Sequence, residues 1–516
     1  MDNPKYAQSE ENRKKLINLL RSGNNINTSS YNIFSSEVAD ILNGDIPYFY
    51  KKANGVEVYN SADKLICTSE IFKGINSYKD RIKKLSHSDI SEQVDFIKIA
   101  MASPVKNWDL GKKKNYTTNK LNSISYNKGI LENNVTSILR EIINNGVVLN
   151  HTINWKNISI SQNNNWIIGA NNFSLYDGLA GISITLAVAY KLTDNKEYLN
   201  ILNECLKEIN ILEKQIDNDF QDFSVFNGIG SLIYLYFYLY LLFHKNVFLK
   251  KGKFYLKFLQ RNINNIKKLD FINGASGVLS VLCEIKNKLP DLHLNQSINY
   301  LVTNISKNWN SKEAWKSDIN PDNHLNGMSH GISGIIYSLF KANQFYNNSD
   351  LNLMIQKAIQ IENNGIVGNN WIDLRSRQNR IEKGFPDPVH WCHGAPGIGL
   401  SRIILNKIFN TERDIELSKL ATLEHGIGGS DCLCHGSLGN LDLFITDYLY
   451  NNNLKSLEVA RKIATELCQK NNWICGIPQK VTVFGFMTGL SGIAYELMRI
   501  MYPEKIPSIL LLELNR

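Results

Sequence analysis

Seven times along this 516-residue chain, a Gly-x-x-Gly or Gly-x-x-Ser turn is followed at once by an apolar, helix-like stretch. The turns begin at Gly178, Gly228, Gly274, Gly331, Gly394, Gly436 and Gly489, at spacings of 50, 46, 57, 63, 42 and 53 residues. A recurrence of this size belongs to stacked helical units, none of which buries its apolar face alone. The helices that follow read GISITLAVAY, GISGIIYSLF and GIAYELMRI, and each gap leaves room for a second helix, such as Lys196 to Leu212 or Leu351 to Ile361. Glycines at the helix starts permit close backbone approach. Two helices in each of seven units predict an all-α toroid of helical hairpins. Its two helix layers are concentric, and the inner helices start at one mouth. No alternating strand pattern is sustained, although KVTVFGF suits an extended segment.

The residue before each glycine is polar or ligating: Asp177, Asn227, Asn273, His330, His393, His435 and Thr488. In a closed ring, one equivalent position points at one place. Two turns carry the strongest chemistry, HWCHGAPGIGL with Cys392 and His393, and SDCLCHGSLGN with Cys434 and His435. Thiolate and imidazole suit zinc, whose catalytic sites keep three protein ligands and one open position. A helix N-terminus also favours the thiolate. The bland alternative, core cysteines and turn histidines, is weakened because Cys-His-Gly recurs at two repeat positions. His330 in MSHGISG falls at the same mouth, as a general acid or base or as a hydrogen-bonded turn histidine. Asp177 in LYDGLAG is either a nearby carboxylate or a helix N-cap.

The net charge of +9 is spread without a dense Lys/Arg block, which argues against nucleic-acid binding and favours an acidic peptide partner. The run SLIYLYFYLYLLF is shorter than the roughly 18–20 residues of a spanning helix and starts in register at a repeat turn, so it reads as a core helix without a stable membrane span. Eight cysteines diluted over this length, behind a polar N-terminus without the apolar segment of a signal peptide, fit a reducing, cytoplasmic setting rather than a disulfide framework.

Residues 1–125 lack the repeat. They read as a small, mainly helical segment, with helical stretches at Glu11–Arg21, Ile71–Leu85 and Ile90–Ala102, and a turn at Gly44–Lys52. A polar linker, KNWDLGKKKNYTTNK, spans Lys106–Lys120, and the repeat domain is expected over 126–516, led by a helix at Ile130–Asn145.

The set LYDGLAG, GMSHGISG, WCHGAPGIGLSR and CLCHGSLGN, in this order and within seven repeats, resembles the lanthipeptide cyclases of the LanC-like superfamily. The wording is most similar to the cyclase half of the class II synthetases called LanM. The resemblance implies an α/α toroid with a central zinc. It implies a reaction in which a Cys thiol of a dehydrated precursor peptide (leader plus core) adds to dehydroalanine or dehydrobutyrine, giving a lanthionine or methyllanthionine thioether. It makes Cys392, Cys434 and His435 the zinc ligands, His330 the acid/base and Asp177 the nearby carboxylate. Trp391, His393 and Arg402 are expected to shape the pocket. Two anionic sulfurs would offset the metal charge and keep a bound thiolate reactive. One departure stands out. Stand-alone cyclases carry Arg four residues before the first zinc cysteine, where this chain has Pro388, so that role is missing or supplied elsewhere. Cys432 is a spare ligand or, on the better reading, a bystander.

SSEVADILNGDIPYFY and KKLSHSDISEQVDFIKIA resemble the end of the LanM dehydratase domain. Residues 1–125 hold no Asp-x-His-x-x-Asn element, Gly-rich phosphate loop or acidic metal motif, so dehydration by this chain is not expected. A separate dehydratase fragment and an exporter are the further expected partners. Two other readings compete with this one. A scaffold that holds the peptide needs no open metal site, and a toroidal glycosidase needs paired carboxylates at the mouth.

Overall fold

The computed structural model describes residues 28–43, 45–52, 55–68, 74–86, 113–160, 166–216, 220–375, 386–470, 472–477 and 481–514, with isolated positions before residue 98. Most of the expected helices at 11–21 and 90–102, linker residues 106–112 and Lys480 of KVTVFGF lie outside these residues. The chain forms two compact units, residues 1–98 and 99–516.

In the first unit, a helix at Thr28–Leu42 buries Phe34 and Ile41. Three short antiparallel strands follow, Phe49–Lys51, Glu57–Asn60 and Leu65–Thr68, and then a helix at Gly74–Lys84. The first strand occupies the expected turn around Gly44–Lys52. These strands are three or four residues long, too short for their alternation to stand out in the sequence.

The second unit begins ahead of the expected domain start at 126. Lys113–Lys114 pairs with Ile427–Gly428, and the buried Tyr116 donates its N–H to Leu423 O at 2.9 Å. Seven inner helices follow the seven glycine turns: Leu179–Thr193, Ile229–Phe243, Ala275–Lys288, Ile332–Asn343, Ala395–Leu405, Ser437–Asn451 and Leu490–Met501. Each packs on the next, and the seventh packs back on the first. Six of the outer helices lie after their inner partners: Lys196–Glu213, Asn246–Arg261, Asn295–Lys307, Ser349–Asn363, Glu412–Ala421 and Leu454–Leu467. The outer partner of the seventh comes from the other side of the repeats; it is Lys128–Asn144, which precedes the first.

Burial separates the two layers. Every residue from Leu179 to Ala189 is buried, so this inner helix is enclosed on all faces, whereas its outer partner buries only Tyr198, Leu202, Cys205 and Ile209 at helical spacing. The expected core helix Ile229–Phe243 is likewise enclosed, and among the described residues no helix is long and apolar enough to cross a membrane.

The turns explain their glycines. Gly394 has φ +110, a region that strains other residues, and a Cβ at Gly397 would stand 1.9 Å from Trp391 O. In the second turn Ser231 replaces the second glycine and donates its hydroxyl to Val225 O at 2.7 Å. No side chain caps these helix starts. Instead the preceding loop folds back, so that Leu179 N–H reaches Asn172 O at 2.8 Å and Ile332 N–H reaches Leu325 O at 2.9 Å, filling two of the donors a helix start leaves open.

The residues two before each glycine form a ring of their own. Met487 donates its N–H to Tyr176 O, Tyr176 to Phe226 O, Ile272 to Ser329 O, Ser329 to Cys392 O, Cys392 to Cys434 O, and Cys434 to Met487 O, at 2.6–3.2 Å. Between Phe226 and Ile272 the link passes through side chains, Asn227 Nδ2 to Asn273 Oδ1 at 3.3 Å. At the other end of the toroid the buried segment Ile506–Leu514 is held by inner-helix tyrosines. Tyr337 donates to Leu511 O at 2.7 Å, Tyr495 to Pro507 O at 2.8 Å and Tyr234 to Glu513 O.

Candidate functional site

The fifth and sixth turns bring Cys392 and Cys434 together. Their backbones are joined by the 3.2 Å Cys392 N–H to Cys434 O bond, and their thiols are hydrogen-bonded. That contact splits the pair. The hydrogen bond from Cys434 draws Cys392 below the usual thiol range, helped by the charges of His435, Arg375 and His330, while Cys434 is raised well above it. Tyr176, from the first turn, donates its hydroxyl to Cys434 Sγ at 3.0 Å.

His435 directs Nε2 at Gly476 O, 3.1 Å away, and also contacts the Cys432 thiol. Burial pulls this imidazole down, but the Cys432 and Cys392 sulfurs outweigh burial and push it up to about 9. A ligating histidine commonly donates its second ring nitrogen to a backbone carbonyl. With Nε2 on Gly476, Nδ1 is the nitrogen a metal would take. As placed, no three His, Cys, Asp or Glu side chains among the described residues converge on one metal position. The donor types nevertheless fit zinc: two sulfurs already in contact and an imidazole oriented by a carbonyl.

His330 stands beside this centre. Its ring stacks on His393 with centroids 5.9 Å apart, and its Nδ1 meets Asp270 Oδ2 at 2.8 Å. The carboxylate fixes the tautomer with the proton on Nδ1 and leaves Nε2 for proton exchange. A cavity of about 400 Å³ opens against this pair, bounded by Lys267, Trp315, Lys316 and Asp318. Asp270 was not singled out in the sequence because it precedes its turn glycine by four residues rather than one.

The other expected site residues take different places. Asp177 does not cap its own helix, whose start has no side-chain cap. Its carboxylate is bound to Thr488 of the seventh turn, and burial raises it to about 6. His393 is buried beside His330 with Nε2 3.2 Å from Ser329 Oγ, and burial lowers it to about 3.

Two expectations are corrected. Trp391 is fully buried, with its ring 6.0 Å from that of Phe226, and so belongs to the core rather than to a pocket wall. Arg402 is also fully buried, two turns into its helix, with Nη2 2.7 Å from Glu362 and Nε 3.0 Å from Asp414. Its charge is consumed between helices. A positive charge that does reach the Cys392 sulfur, after that of His435, is Arg375, aimed by a two-point contact with Asp373 at 2.9 and 3.1 Å. Its loop is tied to the segment before Cys392, where Asp373 N–H meets Asp387 Oδ1 at 2.9 Å and Asn370 Nδ2 meets Pro388 O at 3.1 Å. The sequence marks Arg375 by no motif.

Fold and site together define a helical toroid with a thiol–imidazole centre at the mouth where its inner helices begin. The chain belongs to the lanthionine synthetase C-like family, whose model matches residues 169–511. It is similar to the lacticin 481/lactococcin biosynthesis protein LcnDR2 of Lactococcus lactis subsp. lactis, at 25% identity over 496 residues, covering 90% of this chain and 50% of that protein. It is also similar to glutathione S-transferase LANCL1 of Danio rerio, at 25% identity over 191 residues, covering 35% of this chain and 44% of that protein. The chain thus matches about half the length of each of these relatives. Among solved structures, nisin cyclase shares the fold, with a TM-score of 0.55 and 18% identity over 75% of this chain and 98% of that one.

Proposed function

We propose that this chain is a zinc-dependent lanthionine-forming cyclase acting on a dehydrated precursor peptide. The observation that carries the reading is the meeting of Cys392 and Cys434 beside the His330–Asp270 pair, at one mouth of a ring built by the family fold. Cys392, Cys434 and His435 would hold the zinc, which when bound supplies a Lewis acid that keeps a substrate thiol in the thiolate form near neutral pH. The rest of the chemistry falls to side chains of this chain. The new S–C bond forms at the β-carbon of the dehydroamino acid, and its π electrons move toward the carbonyl as an enolate. His330, held by Asp270, delivers the proton that the α-carbon takes up and can recover it from the next incoming thiol. Arg375 adds positive charge close to where the anion develops. The walls of the cavity beside His330 hold the peptide on either side of the reacting residues.

All eight cysteines are free thiols, which supports a reducing, cytoplasmic setting. A leader-plus-core precursor, a separate dehydratase fragment and an exporter remain the partners this reading expects. Incubation with a dehydrated precursor, followed by alkylation and mass measurement, tests it. Loss of free thiols at constant peptide mass supports cyclisation, whereas thiols unchanged against a no-enzyme control favour a peptide-holding scaffold instead.

A further inference from the structure

Tyr176 holds, in the first turn, the place that Cys392 and Cys434 hold in the fifth and sixth. Its backbone is fixed on both sides. Its N–H donates to Phe226 O at 2.8 Å, and its carbonyl accepts from Phe486 and Met487 at 3.1 and 2.6 Å. Its ring meets Phe226 edge-on, with centroids 6.4 Å apart. Held in this way, the phenol delivers its hydroxyl to Cys434 Sγ at 3.0 Å, 258 residues further along the chain. Cys392 has no such donor among the described contacts of its sulfur; its hydrogen-bonded neighbours are Cys434 at the thiol and Ser329 at the carbonyl. The two cysteines are therefore not equivalent.

We infer that Tyr176 is a positioning residue for the metal centre, orienting Cys434 and withdrawing charge from its sulfur. This rests on the zinc reading above. A hydroxyl donated to an anionic sulfur is a charge-assisted hydrogen bond, shorter and stronger than a neutral one. Outer partners of this kind set the orientation and donor strength of a metal ligand. With Tyr176 in place, Cys434 is the weaker donor of the two thiolates. The centre then retains more Lewis acidity for a third, incoming sulfur than two unmodified thiolates would leave it.

The test loads the metal-free full chain with Co(II) and compares wild type with Tyr176→Phe, which keeps the ring and removes the donor. The expected result is retained d–d absorption, because ligands and geometry are unchanged, with the sulfur-to-cobalt charge-transfer band shifted to lower energy. Affinity measured against a chelator should fall on the order of 10–100-fold, while the melting temperature of the metal-free variant stays at the wild-type value. An unmoved charge-transfer band with unchanged affinity overturns the inference and leaves the zinc reading standing. A wild-type chain that gives no cobalt spectrum sinks the zinc reading, and this inference falls with it.

Discussion

The carboxylate of Asp177 accepts both the N–H of Thr488, at 3.0 Å, and its hydroxyl, at 2.8 Å, and so ties the first glycine turn to the seventh across 311 residues. The same position one residue before the glycine carries the Asn227–Asn273 bond and the His330–His393 stack. A residue expected near the chemistry thus also clasps the ring.

The clasp has a pH signature. Burial raises Asp177 from 3.8 to about 6 in the folded chain, so the folded state binds this proton more tightly than the unfolded state does. Its contribution is most favourable below the unfolded value and is lost as pH rises through about 6. Asp177→Asn keeps an acceptor for Thr488 and removes the titration. The melting temperature of the variant relative to wild type should climb between about pH 4 and pH 6 and stay level above. A difference that is flat across this window would contradict the assignment.

Metal content separates the ligands from their neighbours. Purified wild-type chain should carry one zinc, and Cys392→Ala or Cys434→Ala should carry little or none by elemental analysis. Cys432→Ala should keep it, because that sulfur contacts His435 rather than the Cys392–Cys434 pair. Zinc lost in Cys432→Ala alone would reverse the ligand assignment.

The His330–Asp270 pair predicts a graded series. His330→Ala should retain zinc and slow ring closure about 10²–10⁴-fold, the range of a positioned acid/base. Asp270→Asn should also retain zinc and lose less, since His330 then keeps its place but not its fixed tautomer. Single-turnover cyclisation rates decide the order; a larger loss in Asp270→Asn would assign the proton transfer to the carboxylate.

Arg402 makes a different prediction from the pocket role first expected of it. Arg402→Met leaves Glu362 and Asp414 buried opposite an apolar chain and should lower stability by about 3–5 kcal/mol. Denaturant unfolding reads that loss. Cyclisation by the fraction that remains folded, at low temperature, should match wild type, because the guanidinium lies two helical turns below the mouth.

The ring was readable because its glycines answer a steric demand that repeats seven times. The ligand candidates were readable because few residue types suit a zinc ion. What the reading lacked was depth. The residues three before each glycine, Leu175, Val225, Phe271, Met328, Trp391, Leu433 and Phe486, are all buried, and that pattern would have placed Trp391 in the core. Asp270 and Arg375 carry no local motif. Asp270 matters through a histidine 60 residues on, and Arg375 through a loop that the fold lays beside Pro388. Only tertiary structure supplies either relationship.

The helix Lys128–Asn144, made before any repeat, is the outer partner of Leu490–Met501, the last helix of the seventh unit. An open solenoid can nucleate at any unit and is complete without joining its two ends. This ring is not. Its first outer helix lacks its inner partner until more than 340 further residues have been added and the seventh inner helix arrives. Closure is therefore the step with the longest loop to draw in and the greatest exposure to misassembly during synthesis. A nascent chain halted before Met487 has an open ring and lacks the residue that joins the Cys434 backbone to that of Tyr176, so the backbone ring around the centre is completed only when the toroid is.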